Sequence, residues 1–181
     1  MINEREIISQ FVGGSHQAFQ SLFMNYYPKV KKFIQGILKC EEEAEDIAQD
    51  IFLKIWNQKE HLLEVHNFGT YIYVLSRNAT FNFIKAKHLH TDQPTDEDFG
   101  SEVNTPHDDL VSKDLQLLVD MIVEQMPKQR KKIYLLSRTQ GKSNEQIAQM
   151  LNISKKTVEN HLNIALNELR KGIALMLFLF F

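Results

Sequence analysis

The sequence predicts an all-α protein of two small helical domains joined by a flexible acidic linker, and three observations carry that prediction. Apolar residues recur at steps of three and four on both sides of the middle of the chain, with no alternating run of strand type. Charge is segregated: Met1 to His88 holds ten Lys/Arg and ten Asp/Glu, Leu89 to Ser112 holds seven acids and no Lys/Arg, and Lys113 to Phe181 holds eleven bases against six acids. A net charge of −2 therefore hides a neutral, an acidic and a basic segment. The acidic segment also carries Pro94, Gly100 and Pro106 among Asp, Glu, Thr and Asn, too few apolar groups to offset its ordering entropy. The expected organisation is a helical bundle over 1–88, a linker over 89–112, a second helical domain over 113–172 and a hydrophobic tail over 173–181.

Composition narrows the function classes. At 43% hydrophobic and 24% charged residues the chain reads as an ordinary globular protein, and the single Cys40 allows no internal disulfide, which fits a reducing cytoplasm. Met1 to Gln10 carries acids and no long apolar run, so no signal peptide is expected. Ile173 to Phe181 is apolar but far shorter than the ~20 residues a spanning helix needs, so no stable membrane insertion is expected. Its expected place is against the C-terminal helices, with a membrane or partner contact as the alternative. The seven His form no convincing metal or acid–base constellation. His88, His90 and Asp92 offer only a weak ligand pattern, better read as solvated polar residues. No catalytic residue, metal or cofactor is expected, and the chain does not read as an enzyme.

In the first half, Ala44, Ile47, Ala48, Ile51, Phe52, Ile55 and Trp56 form one apolar stripe of an amphipathic helix. Opposite the stripe, at 100° per residue, lie Asp46, Gln49, Asp50, Leu53 and Asn57. A leucine within an acidic and amide surface is either a stray exposed residue or a contact. A later helix, from about Asn67 to Lys87, places Phe68, Tyr71, Ile72, Leu75, Ala79, Phe83 and Ala86 on one side. Its far side gathers Tyr73, Arg77, Phe81, Ile84 and His88, bordered by Asn78 and Lys85. Aromatic rings stack on unpaired bases while cations hold phosphates, so this side suits single-stranded nucleic acid. A helix buried on both sides, with Tyr73 and Phe81 in the core, explains the pattern equally well.

Beyond the linker, Leu115 to Met126 reads as a helix ended by Pro127, and Lys128 to Ser137 as a second with a basic start. Ser143 followed by Gln146 makes a capping box before a short helix with Ile147, Ala148 and Leu151 inside. Asn152 tolerates the left-handed backbone of a sharp helix end, Ile153 can plug the corner and Ser154 can cap the next helix. That helix turns Val158, Leu162, Ala165, Leu166 and Leu169 inward. Lys156, Glu159, Asn160, Asn163 and Asn167 project outward, with Lys155 and Thr157 in the first turn. A short helix, a tight corner and a second helix with amides and cations near its start is the shape that enters a major groove. Asn160 can bond an adenine edge, Glu159 can accept from cytosine, and Lys155 and Lys156 suit phosphate or guanine. An ordinary helical hairpin with a solvated face is the alternative.

Taken in order, these motifs resemble the extracytoplasmic-function (ECF) group of bacterial sigma factors over nearly everything outside the linker. Ala18-Phe19 to Leu22-Phe23 with Tyr26-Tyr27-Pro28 is similar to the opening helix of the family's first domain. Ala44 to Phe52 resembles the segment that binds the β′ clamp helices of core RNA polymerase. Phe68 to Lys87, with Arg77-Asn78 and Lys85, resembles the segment that reads and melts the minus-10 element. Met126 to Arg130, Gly141-Lys142-Ser143, Ile147-Ala148 and Thr157 to Leu162 resemble the domain that reads the minus-35 element and touches the β flap. Tyr71 stands where the family often has Trp, and Asn82 where Asp is common.

The resemblance implies a factor that joins core polymerase and directs promoter-specific initiation, contacting double- and single-stranded promoter DNA and regulated by an anti-sigma factor. It implies polymerase contacts from Asp46, Gln49, Asp50, Leu53 and Trp56. Minus-10 contacts are implied for Tyr71, Tyr73, Arg77, Asn78, Phe81, Lys85 and Lys87. Minus-35 contacts are implied for Arg130, Ser143, Lys155, Lys156, Thr157, Glu159, Asn160 and Asn163. The alternative is a two-domain helix-turn-helix regulator that does not replace a sigma subunit.

Overall fold

The structure, a computed structural model, describes the backbone of residues 4–89 and 107–180 and the side chains of 4–87 and 113–180. Every regular element among the described residues is helical. In chain order these are α1 (Glu4–Val12), α2 (His16–Leu38), α3 (Glu41–Asn57), a 3₁₀ turn (Lys59–Glu64), α4 (Phe68–Leu89), α5 (His107–Glu124), α6 (Lys128–Arg138), α7 (Asn144–Leu151) and α8 (Lys155–Phe180). Contacts divide the chain into one unit of Met1–Asp98 with Leu175–Phe181 and another of Phe99–Ala174.

In the first unit, Ser15 starts α2 by accepting from the Ala18 amide at 3.2 Å, satisfying a donor the helix leaves open. Buried Ala18, Leu22, Tyr26, Val30, Phe33 and Ile37 then run down one face. The helix ends at Lys39, whose φ of 61° turns the chain back within two residues. α3 opens on Glu41, Glu42 and Glu43, acids that suit the positive end of a helix dipole. Its stripe Ala44, Ile47, Ala48, Ile51, Phe52 and Ile55 is buried as the spacing predicts. The seam with α2 is aromatic: Phe52 meets the edge of Phe23 at 5.0 Å and Trp56 that of Phe19 at 4.8 Å. Lys31 closes its other end, 3.1 Å from Glu41 and 2.8 Å from Glu45.

α4 departs from its expected orientation. Its buried positions are Phe68, Gly69, Ile72, Tyr73, Ser76, Arg77, Thr80 and Ile84, while Ala86 is exposed and Leu75, Ala79 and Phe83 are half-buried. Tyr73 and Arg77, on the side the spacing leaves open between surface and core, are 3% and 6% exposed, so that side is core. The reason lies in two hydroxyls. Ser76 Oγ donates to the Ile72 carbonyl at 2.6 Å and Thr80 Oγ1 to the Ser76 carbonyl at 2.7 Å. Bonded to their own helix, both act as small, satisfied residues that can go inside. A hydropathy count treats them as surface and so rotates the helix.

In the second unit, α5 is already formed at His107, inside the segment expected to be linker. Leu89 of that segment ends α4, and 90–106 lie outside the described residues. Pro127 stands immediately before α6, which has no side-chain cap there. Ile133, Leu136, Ile147, Ala148 and Val158 form one buried cluster joining α6, α7 and α8, with Leu151, Ile153 and Leu162 packed against it. α8 continues without a break into the hydrophobic tail.

Ile147 is fully buried, whereas Met150 one turn on is 57% exposed. Ile147→Ala is expected to cost about 2–4 kcal/mol in urea unfolding, and Met150→Ala less than about 0.5 kcal/mol.

Candidate nucleic-acid and polymerase interface

Three faces carry the sequence candidates. On α3, Asp46, Gln49, Asp50 and Leu53 are all exposed, Leu53 at 59%, because the opposite stripe is buried. They lie at i, i+3, i+4 and i+7 and so share one face. Trp56 does not join them. It is half-buried among Phe11, Phe19 and His16, with centroids 4.8 to 5.7 Å away, and serves the α1–α2–α3 seam.

On α4 the candidates divide. Asn78, Lys85 and Lys87 are exposed and Tyr71 and Phe81 half-buried. Tyr73 and Arg77 lie inside. Arg77 donates to Asn78 Oδ1 through Nη2 at 2.8 Å and Nε at 3.2 Å, and its guanidinium lies over the Tyr73 ring at 5.9 Å. Lys87 reaches across to Glu43 of α3 at 2.6 Å, tying the two helices together.

The third face is built by the corner between α7 and α8. Ser143 Oγ accepts from the Gln146 amide at 3.3 Å and Gln146 Oε1 accepts from the Ser143 amide at 2.9 Å, so the capping box forms. Ser143 is thereby occupied as a cap. Asn152 takes φ 51° and the Ile153 amide donates back to the Ala148 carbonyl at 3.0 Å, closing the helix end. Ser154 Oγ then accepts from the Thr157 amide at 3.0 Å and starts α8, leaving Thr157 half-buried in the cap. Lys155, Lys156, Asn160 and Asn163 are exposed, with Glu159 half-buried beside them. Lys155 is hydrogen-bonded to Glu145, and Lys156 stands 3.9 Å from Glu159. Arg130 is set apart from this face: it is paired with Glu168 at 2.8 Å and joins α6 to α8. Arg138 and Asn144, which sequence reasoning passed over, line an open depression together with Glu159 and Asn163. Only the fold reveals Arg138 there, since it ends a different helix.

Among the described residues no group of three or more His, Cys, Asp or Glu could hold a metal ion. No described helix is long and apolar enough to cross a membrane. His88, His90 and Asp92, read from the sequence as solvated polar residues, lie outside the described side chains.

The sequence matches sigma-70 region 2 over residues 22–89 and sigma-70 region 4 over residues 116–169. The first match contains α3 and α4; the second contains the capped corner. The chain belongs to the ECF sigma factors. It is 21% identical to the RNA polymerase sigma-H factor of Pseudomonas aeruginosa, over 94% of this chain and 93% of that one. It is 22% identical to the ECF RNA polymerase sigma-E factor of Haemophilus influenzae, over 89% and 90%. With the ECF RNA polymerase sigma factor SigW of Bacillus subtilis it shares 26% identity, over 96% and 97%. As a promoter-recognising sigma factor, the chain binds RNA polymerase and promoter DNA.

The corner makes two checks. Asn152→Ala places a Cβ-bearing residue without a local hydrogen-bonding group in the left-handed region and is expected to cost about 1 kcal/mol in thermal unfolding, while Asn152→Gly costs little. Lys155, by its hydrogen bond, holds the Glu145 carboxyl below the usual glutamate range. A depressed folded pKa gives stability that is present above the unfolded value and lost as pH falls through the folded one. An NMR titration of the Glu145 side chain is therefore expected to show a lowered midpoint that moves up in Lys155→Gln.

Proposed function

We propose that the three faces divide the work of one initiation factor. The α3 face of Asp46, Gln49, Asp50 and Leu53 docks on the β′ clamp helices of core polymerase. α4 contacts the minus-10 element and holds its displaced strand. The α8 face enters the minus-35 major groove, and the same domain touches the β flap. Residues 1–88 and 113–172 are the two working domains, with 89–112 spanning between them. The factor itself makes and breaks no bond; it works in the cytoplasm, where polymerase is, and is held in check by an anti-sigma protein.

The observation that carries this reading is Leu53. An apolar side chain 59% exposed among two carboxylates and an amide has the make-up of a contact: a small apolar centre with polar anchors. The α8 face supports the second half. Asn160 and Asn163 are exposed and a turn apart, with Lys155 and Lys156 at the helix start, where the dipole also favours phosphate. Arg130, Ser143, Thr157 and Trp56 then take positioning roles, because the structure spends their side chains on packing, caps or an internal ion pair.

Two outcomes test the division. Leu53→Asp and Asp46→Arg are each expected to weaken core polymerase binding at least ~10-fold with unfolding midpoints unchanged, since neither side chain is buried. Parent-like affinity of both folded variants rejects the docking face. In holoenzyme, Asn160→Ala is expected to lose about 1–3 kcal/mol of discrimination at one minus-35 position. Lys156→Ala is expected to weaken all promoters alike and to flatten the salt dependence by about one unit.

A further inference from the structure

The hydrophobic end of the chain has no part in the assignments above, and its position is specific. Leu175–Phe181 belongs to the first unit. Phe180 is 7% exposed, with its ring 5.4 Å from Phe33 of α2, edge-on at 88°, and 5.5 Å from Tyr73 of α4. Leu179 is equally buried. Two glycines make room for this segment. A Cβ on Gly36 would lie 2.6 Å from Leu175 Cδ2, and one on Gly69 would lie 2.9 Å from the Phe180 carbonyl oxygen. The segment is two-faced: Phe178 remains 83% exposed and Leu177 52%. Spacing alone leaves this segment against the C-terminal helices or against a membrane or partner. Those helices bury their stripes among themselves, and the aromatic contact open to Phe180 is the Phe33–Tyr73 pair.

The geometry points to a tethered mask: the last residues of α8 cover the Tyr73 side of α4 in the free factor, and Phe180 must leave before that side can take an unpaired DNA base. Phe180 fills the space beside the Tyr73 ring that an unpaired base would need, tilted at 52° to that ring, next to a guanidinium suited to the neighbouring phosphate. A mask on the same chain acts without a partner and lowers apparent affinity by the fraction of time it is open. One closed nine-tenths of the time weakens strand binding about tenfold. The free factor then ignores single-stranded nucleic acid, and only the concentrated contacts of an opening promoter displace the tail.

This rests on α4 being the strand-binding helix, and the test separates the two ideas. The probe is a fluorescein-labelled, A/T-rich, 20-nucleotide single-stranded DNA bound to the free full-length chain, with hydrogen exchange of α4 amides measured in parallel. Phe180→Asp is expected to raise α4 exchange and tighten binding about tenfold. Phe178→Asp adds the same charge to the exposed side of the same turn and is expected to behave as the parent. Gly69→Ala pushes on the Phe180 carbonyl while favouring the helix, and is expected to reproduce Phe180→Asp without altering the tail. Adding Tyr73→Leu to Phe180→Asp is expected to abolish the gain. If Phe180→Asp and Gly69→Ala leave exchange and binding unchanged, the mask is wrong whatever α4 binds. If exchange rises but no variant gains affinity, the tail docks as seen and the strand-binding reading of α4 fails, taking the mask with it.

Discussion

Burial of the α3 stripe against α2 sets the rotation of α3, and the face proposed for docking depends on that rotation. Ile47, Ile51, Phe52 and Ile55 are each under 9% exposed, and burying side chains of this size is worth ~1.5–3 kcal/mol apiece. A rotation by one residue would put Asp50 where Ile51 sits, losing that burial and desolvating a carboxylate at a cost of several kcal/mol. The aromatic seam therefore holds Leu53 in water by energies several times its own unfavourable exposure. Lys31 and Lys87, clamping α3 from either side through Glu41, Glu45 and Glu43, add register more than stability, since exposed ion pairs contribute little.

The second unit uses a backbone constraint for the same purpose. Asn152 in the left-handed region and the Ile153 to Ala148 bond fix where α7 stops and where α8 points. Every outward residue of α8 takes its direction from that corner. The Lys155–Glu145 pair sits on the same corner but is exposed and screened, so it is a consequence of the geometry more than its cause. On the proposed minus-35 reading, phosphate approaching the start of α8 has to compete with Glu145 for Lys155, which leaves Lys156 and the amides as the more available contacts.

These two arrangements were legible because each is local. The α3 stripe repeats over four turns, and Ser143, Gln146, Asn152 and Ser154 are chemically tied to the turn they make. What stayed illegible was long-range. Ser76 and Thr80 look polar until their bonds to the helix backbone are seen, so spacing alone cannot decide whether the Tyr73 side of α4 is surface or core. Arg130 is a minus-35 candidate by resemblance, and its ion pair with Glu168, thirty-eight residues on, is invisible to local spacing. Trp56 could be core or contact by spacing alone, and Phe11 and Phe19 decide it. The tail was the least readable, because its partner Phe33 lies at the other end of the chain.

On the proposed assignment α4 combines two demands that ordinarily conflict, a packed interior and a surface able to receive a base, and its composition reconciles them. A stripe of leucines would bind the tail and the neighbouring helices tightly but would leave an apolar gap whenever the tail moved. Ser76 and Thr80 need no partner outside their own helix, so uncovering them costs little. Arg77 gains water on exposure, and Tyr73 keeps the edge of Phe33 as a support. What opposes uncovering is then chiefly the apolar burial of Leu179 and Phe180, offset by the freedom the released segment regains, and a mask closed nine-tenths of the time needs a net of only ~1.3 kcal/mol. On the proposed reading that is within reach of the ~1–3 kcal/mol that each stacked base can return, so the balance between Phe180 and a nucleobase on one tyrosine ring is close enough to be tipped by DNA.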